Sequence, residues 1–142
     1  MIQTKMCDLL GIKHPIIQAG MGPFSNNQLC IAAANAGVLG LMSTSGITSS
    51  NREFQPEIFQ HWIQTAGADP EDEMETILCK ALDQASERTE ESGGVFGLNI
   101  RVSAMMLEDA EKLIQTATQY REDHRESREQ FKVIFTSAGD PM

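Results

Sequence analysis

Four short apolar runs, at residues 15–19, 38–42, 95–100 and 132–136, alternate along the chain with longer stretches in which apolar residues recur every three or four positions. The runs have strand length and are rich in β-branched and aromatic residues, which predicts buried strands. The longer stretches predict helices. After the first run, Ser25 stands three residues before Gln28 in a capping-box spacing, and Leu29 to Ala36 is a good helix former that Gly37 terminates. The second run leads into Ser43 to Ser50, a polar loop. Its connection to the third run is long and predicts two helices. Ile58, Phe59, Trp62 and Ile63 mark one apolar face before Gly67 breaks it. Asp69-Pro70 then supplies an N-cap and a first-turn proline for a stripe running through Met74, Ile77, Leu78, Ala81, Leu82 and Ala85. Ser103 is the N-cap of a helix whose face carries Leu107, Leu113 and Tyr120, and the mixed charges of Arg121 to Glu129 read as a solvated helix end or loop.

Alternating strands and helices predict an α/β fold with a parallel sheet. The pattern does not separate part of a closed barrel from an open doubly wound sheet. In either, the strand-to-helix loops gather on one face, where ligand sites are built. Four strand exits carry unusual residues: Gln18 to Gly22, Ser43 to Gly46, Asn99, and Ser137 to Pro141. Gly20 and Gly22 let backbone approach a flat ligand without a Cβ in the way, though a tight turn alone would also use them. Asn99 ends an apolar strand with an amide that must find a partner, either a polar ligand or neighbouring backbone. Ser137 and Gly139 suit a site or an Asx-type turn equally. The histidines add nothing: His14 lies at the opposite end of its strand, His61 within a helix and His124 in the charged run. No zinc-ligand spacing, nucleophile elbow or complete phosphate-loop fingerprint is present.

Composition narrows the partners. With 20 acidic against 11 basic residues the formal charge is −9, which repels nucleic acid and anionic membrane surfaces. Three cysteines, widely spaced, fit neither a disulfide framework nor a zinc site and predict reduced thiols in the cytoplasm. No apolar run is long enough to span a bilayer. At 142 residues the chain is one domain, yet an eight-unit βα barrel takes about 250 residues, so only about four βα units are expected.

Leu10 to Gly22, Ala36-Gly-Val-Leu-Gly40, Phe96-Gly-Leu-Asn-Ile100 and Phe135-Thr-Ser-Ala-Gly-Asp-Pro141 together resemble, in order, the sequence blocks of the nitronate monooxygenase family, also called 2-nitropropane dioxygenase-like. The resemblance implies an FMN-binding parallel (β/α)8 barrel of TIM type, of which residues 1–142 form the N-terminal half, with a helical insertion at about 52–94. It implies oxidation of alkyl nitronates with oxygen; a sister group with the same blocks comprises FMN-dependent enoyl-ACP reductases that use NAD(P)H and act on an enoyl thioester. It places Ala19, Gly20, Met21 and Gly22 against the flavin, mostly through backbone, with Ser45 beside them and Asn99 hydrogen-bonded to the ring. Ser43 and Thr44, with Ser137 and Gly139, then line the substrate pocket. Ser43, Thr44 and Ser45 stand where the family is usually glycine-rich, so their side chains narrow the space beside the ring. The family's catalytic histidine and phosphate loops belong to later strands, so no catalytic residue is expected within this chain. Taken by itself, the chain is expected to bind FMN poorly and turn over nothing. A non-enzymatic alternative is a truncated barrel that self-associates through its open sheet edges.

Overall fold

Strand order decides the question that periodicity leaves open. In the computed structural model, which describes residues 2–22 and 24–138, all four strands are parallel and lie in the order of the chain. They are β1 (Ile17–Gln18), β2 (Leu39–Ser43), β3 (Phe96–Arg101) and β4 (Phe131–Ser137). A doubly wound sheet reverses its order at a switch point; sequential order with crossovers of one hand keeps every helix on one face, as a (β/α)8 barrel requires. The chain has the architecture of four successive units of such a barrel.

The helices are α1 (Lys5–Leu10), α2 (Asn27–Asn35), α3 (Ser49–Phe54), α4 (Pro56–Ala66), α5 (Met74–Glu90) and α6 (Leu107–Asp123). Period-two alternation divides the sheet between two buried clusters. Met42, Phe96, Leu98 and Ile100 face outward and pack with Cys30, Ile63, Ile77, Leu78 and Leu113 from α2, α4, α5 and α6. Leu39 and Leu41 face inward, where Cys7 and Leu10 of α1, together with Ile12, close the entry end of the half barrel. Phe96 and Phe131 stack with ring centroids 5.5 Å apart, which locks β3 to β4 on the outer side.

Several boundaries differ from the pattern for identifiable reasons. The N-cap of α2 is Asn26, whose Oδ1 accepts from the amides of Gln28 and Leu29. Ser25 is instead fully buried and donates to the Leu41 carbonyl at 2.6 Å. The β1 ladder is short because the Leu41 amide is taken by the Gln18 side chain at 3.1 Å. Asp69 does not cap α5: its amide bonds the Asp72 carboxylate, the Asp72 amide bonds back to it, and the helix begins at Met74. Ser103 starts a 3₁₀ turn, with no side-chain bond, before α6. The supposed polar loop after β2 contains a 3₁₀ turn and then α3, capped by Thr48, whose hydroxyl accepts from the Asn51 amide. Gly67 ends α4 in the left-handed region at φ 66°.

No helix among the described residues is long and apolar enough to cross a membrane. All three cysteines are free thiols. Cys7 and Cys30 are buried, and burial pushes the Cys30 thiol up to about 12. Cys79 is half-buried, and its thiol is raised first by burial and then by Asp83. An aromatic disulfide reagent at about pH 8.5 is therefore expected to label only Cys79 in the folded chain, with Cys7 and Cys30 reacting after urea is added. Rapid native labelling of Cys30, read by peptide mass, would contradict this packing.

Candidate functional site

Above the apolar inner layer, the strand ends change character. Register places Leu41, Gly97 and Val133 in one row, Ser43, Asn99 and Phe135 in the next, and Arg101 with Ser137 in the last. Alternation directs all three rows to the inner face. The row of Ser43, Asn99 and Phe135 is thus the floor of the mouth, with a polar centre and an aromatic wall.

The loop after β1 folds across this floor. Asn99 Nδ2 donates to the Gly20 carbonyl at 3.2 Å, joining residues 79 positions apart. Space explains the glycine: a Cβ on Gly20 would lie 2.3 Å from Asn99 Cβ and 2.9 Å from its Cγ. A Cβ on Gly22 would meet Ser45 Oγ and come within 2.9 Å of Ser45 Cβ. The loop is anchored from below. Gln18 Nε2 donates to Ser25 Oγ at 2.6 Å, the Ser25 amide bonds the Met21 carbonyl at 2.7 Å, and the Ser43 amide bonds the Ser25 carbonyl at 2.7 Å. Backbone geometry at the mouth is therefore set by polar pairs that converge on the buried Ser25.

The sequence-chosen residues divide into two groups. Ala19, Gly20, Met21, Gly22, Ser45 and Asn99 gather at the mouth, with Met21 57% exposed and Asn99 half-buried. Among the described residues, Asn99 Oδ1 accepts no hydrogen bond, so the amide keeps an open acceptor beside the loop. Ser43 and Thr44 are buried: Ser43 Oγ lies 3.1 Å from Ser45 Oγ, and Thr44 Oγ1 donates to the Asn99 carbonyl at 3.3 Å. Thr44 thus ties the end of β2 to the end of β3. Ser137 is half-buried at the end of β4, and Gly139 lies outside the described residues.

Two residues at the mouth escaped the sequence reading. Phe135 is in register with Asn99 and 40% exposed. Arg101 follows Asn99 by two positions, the period of a strand, so the same alternation that points to Asn99 points to it. A cavity of about 170 Å³ opens beside it, lined also by Gly22, Ser45, Asn51, Gln55 and Met106. Larger hollows lie on the outer surface around Tyr120 and along β4, away from the strand exits. Tyr120 and His124 stack there at 4.0 Å, and Tyr120 donates to Asp83 at 2.8 Å; burial drives the Tyr120 phenol well above its usual range.

The nitronate monooxygenase family model matches residues 3–138. A (3aS,4S,5R,7aS)-5-hydroxy-7a-methyl-1-oxo-octahydro-1H-indene-4-carboxyl-CoA dehydrogenase of Mycobacterium tuberculosis is 40% identical over 47 residues, 33% of this chain and 13% of that enzyme. The dehydrogenase of the same name from Rhodococcus jostii is 35% identical over 52 residues, 37% of this chain and 15% of the enzyme. FabK from Thermotoga maritima superposes with a TM-score of 0.56 at 20% identity, covering 96% of this chain and 37% of FabK. A point mutant of FabK gives 0.54 at 20% identity, covering 96% of this chain and 40% of the mutant. This chain therefore spans well under half of each solved barrel, and nearly all of it follows the barrel path.

Proposed function

The chain belongs to the nitronate monooxygenase family, and we propose that its strand mouth is one half of an FMN site in an oxidoreductase that oxidises alkyl nitronates with oxygen. The observation that carries this reading is the clasp between the β1 exit and β3, in which Asn99 holds the Gly20 carbonyl over a floor that a Cβ would fill. The residues fit a flat heteroaromatic group. Gly20 and Gly22 keep the loop free of side-chain bulk, Met21 presents an exposed thioether, and Asn99 keeps an open acceptor for a ring N–H. Ser45 adds a hydroxyl at the rim. Bound FMN supplies the electron-transfer chemistry. The chain's own residues bind and orient the ring, and Phe135 shields one side of the floor from water. Ser43, Thr44, Ser137 and Gly139 belong in this proposal to the substrate side. The activity is assigned to a barrel in which these residues form one part, and residues 1–142 alone are expected to bind the flavin weakly and remain inactive. The three free thiols suit a reducing, cytoplasmic setting.

The test is quenching of FMN fluorescence on titration with the chain. Saturable quenching that weakens about fivefold to tenfold in Asn99→Ala supports the site. Equal quenching by both proteins, or none from either, overturns the assignment to these residues. A second reading, an enoyl-thioester reductase using NAD(P)H, draws on the relatives named for a carboxyl-CoA substrate. Nucleotide oxidation without nitronate-dependent oxygen uptake, in a preparation with FMN, would select it. The open edges of β1 and β4 also favour self-association, which sedimentation of the purified chain would register.

A further inference from the structure

We propose that the hollow between α5 and α6 on the outer surface binds an organic polyamine, whose ammonium groups are held by carboxylates and by the side-chain oxygen of Gln130. The hollow shares no residue with the strand mouth, so the inference stands apart from the flavin reading. Its volume is about 350 Å³, ordinary for a small-molecule site. Asp83, Glu87 and Glu90 line it from α5, and Glu126 lines it from the 3₁₀ turn at Arg125–Glu129. No lysine or arginine takes part in the lining: Arg88 and Arg125 adjoin Glu87 and Glu126 in the chain, but neither borders the hollow. None of the four carboxylates forms an ion pair with a described residue.

Carboxylates alone would be satisfied by solvent; Gln130 points to a ligand. It is only 9% exposed and lines the same hollow. Its Nε2 donates to the Ser86 carbonyl and to Thr89 Oγ1, each at 3.0 Å. Both partners can only accept there, because Thr89 Oγ1 gives its own proton to the Ala85 carbonyl at 2.7 Å. The amide therefore cannot be turned over, and Oε1 is the atom left for the hollow. Oε1 accepts from no described residue and is not sealed from solvent, so a side chain nine-tenths buried keeps an acceptor open to a donor in the hollow.

Shape then selects the donor. Asp83, Glu87 and Glu90 stand four and three positions apart on one face of α5, which strings their charges over about 10 Å. No three histidine, cysteine, aspartate or glutamate side chains among the described residues converge on a point that could hold a metal ion. Charges spaced in this way match several ammonium groups on one flexible chain, each making charge-assisted hydrogen bonds. Tyr120 fits the same ligand: it stacks on His124 with centroids 4.0 Å apart, offering aromatic surface to methylene groups, and its hydroxyl holds Asp83 at 2.8 Å.

The probes are spermidine and, at matched ionic strength, magnesium chloride, each titrated into the isotope-labelled chain and followed by amide resonances. Spermidine is expected to shift the backbone amides of Ser86, Glu87, Glu90 and Glu126 together with the side-chain amide of Gln130, and to bind at least about tenfold more tightly than magnesium. Removing two charges from the hollow, with Glu87→Gln and Glu90→Gln combined, is expected to weaken spermidine at least about tenfold. Removing two exposed charges elsewhere, with Glu53→Gln and Glu57→Gln combined, is expected to cost less than about twofold. Equal losses in the two double variants would reduce the binding to general attraction by an acidic surface and overturn the proposal. So would magnesium matching spermidine at the same amides, or a Gln130 side-chain resonance that stays in place at saturation.

Discussion

Gly40→Ala is expected to destabilise the chain by about 3 kcal/mol or more, the upper end of what overpacking costs. Gly40 is the outward-facing residue of β2 where α2 crosses it, and an added Cβ would stand 2.2 Å from the Cys30 carbonyl oxygen and 3.0 Å from the carbonyl carbon. Those atoms are backbone, so no rotamer change relieves the overlap. The helix must move, and its movement opens the cluster that holds Cys30, Ile31 and Ala34 against Phe96 and Leu98. The φ of Gly40 is not in the left-handed region, so the loss comes from space alone and not from backbone strain. Urea unfolding followed by far-ultraviolet circular dichroism measures it; a midpoint equivalent to less than about 1 kcal/mol of change would show that α2 does not press on β2 this closely.

Gly20→Ala is expected to lower FMN affinity by more than tenfold while leaving the urea midpoint within about 0.5 kcal/mol of the parent. The added methyl would overlap Asn99 Cβ at 2.3 Å, but Gly20 belongs to a loop that can lift away. Lifting it breaks the bond from Asn99 Nδ2 to the Gly20 carbonyl and raises the loop that the proposed ring contacts. Stability is spared because the anchors below remain: Gln18 to Ser25, Ser25 to Leu41 and the Ser43 amide to the Ser25 carbonyl. The same FMN quenching titration reads the affinity. Unchanged affinity would detach the loop from the flavin site, whereas a large fall in the urea midpoint would make the clasp structural. Gly40 and Gly20 thus separate two uses of glycine, one at a helix–strand crossing in the core and one at an exit loop.

Much of the local structure was legible in the chain. The apolar runs at 38–42 and 95–100 mark β2 and β3 within one residue, and the stripe from Met74 to Ala85 marks α5. Both signals come from burial on one face, which a periodic pattern records directly. Short elements were harder. Lys5–Leu10 has six residues, too few to establish a period, and α3 is hidden in a serine- and threonine-rich stretch that also suits a loop. Ser25 and Asp69 have the spacing of helix caps, but their side chains and amides found better partners elsewhere. Ser25 reaches the Leu41 carbonyl, 16 residues away, and Asp69 closes a turn with Asp72. Capping propensity is a local preference, and a buried bond to another element outweighs it.

The candidate site shows the same division. Asn99 and the glycine pair were recognisable because each is an unusual residue at a strand exit. Arg101 lay within reach of the same argument, since a strand that turns Asn99 inward turns Arg101 inward too, but it stands beyond the apolar run and looks like an ordinary surface charge. Sequence alone determined the α/β class and the parallel sheet, and it singled out the strand exits as the candidate ligand face, because hydrophobic period and turn chemistry are properties of neighbouring residues. Tertiary structure decided the sequential strand order, the closure of the entry end by α1, the clasp from Asn99 to Gly20, and the gathering of Gly22, Ser45 and Arg101 around one cavity. Each of these joins residues distant in the chain, and only the hydrogen bonds and packing between elements specify such pairings.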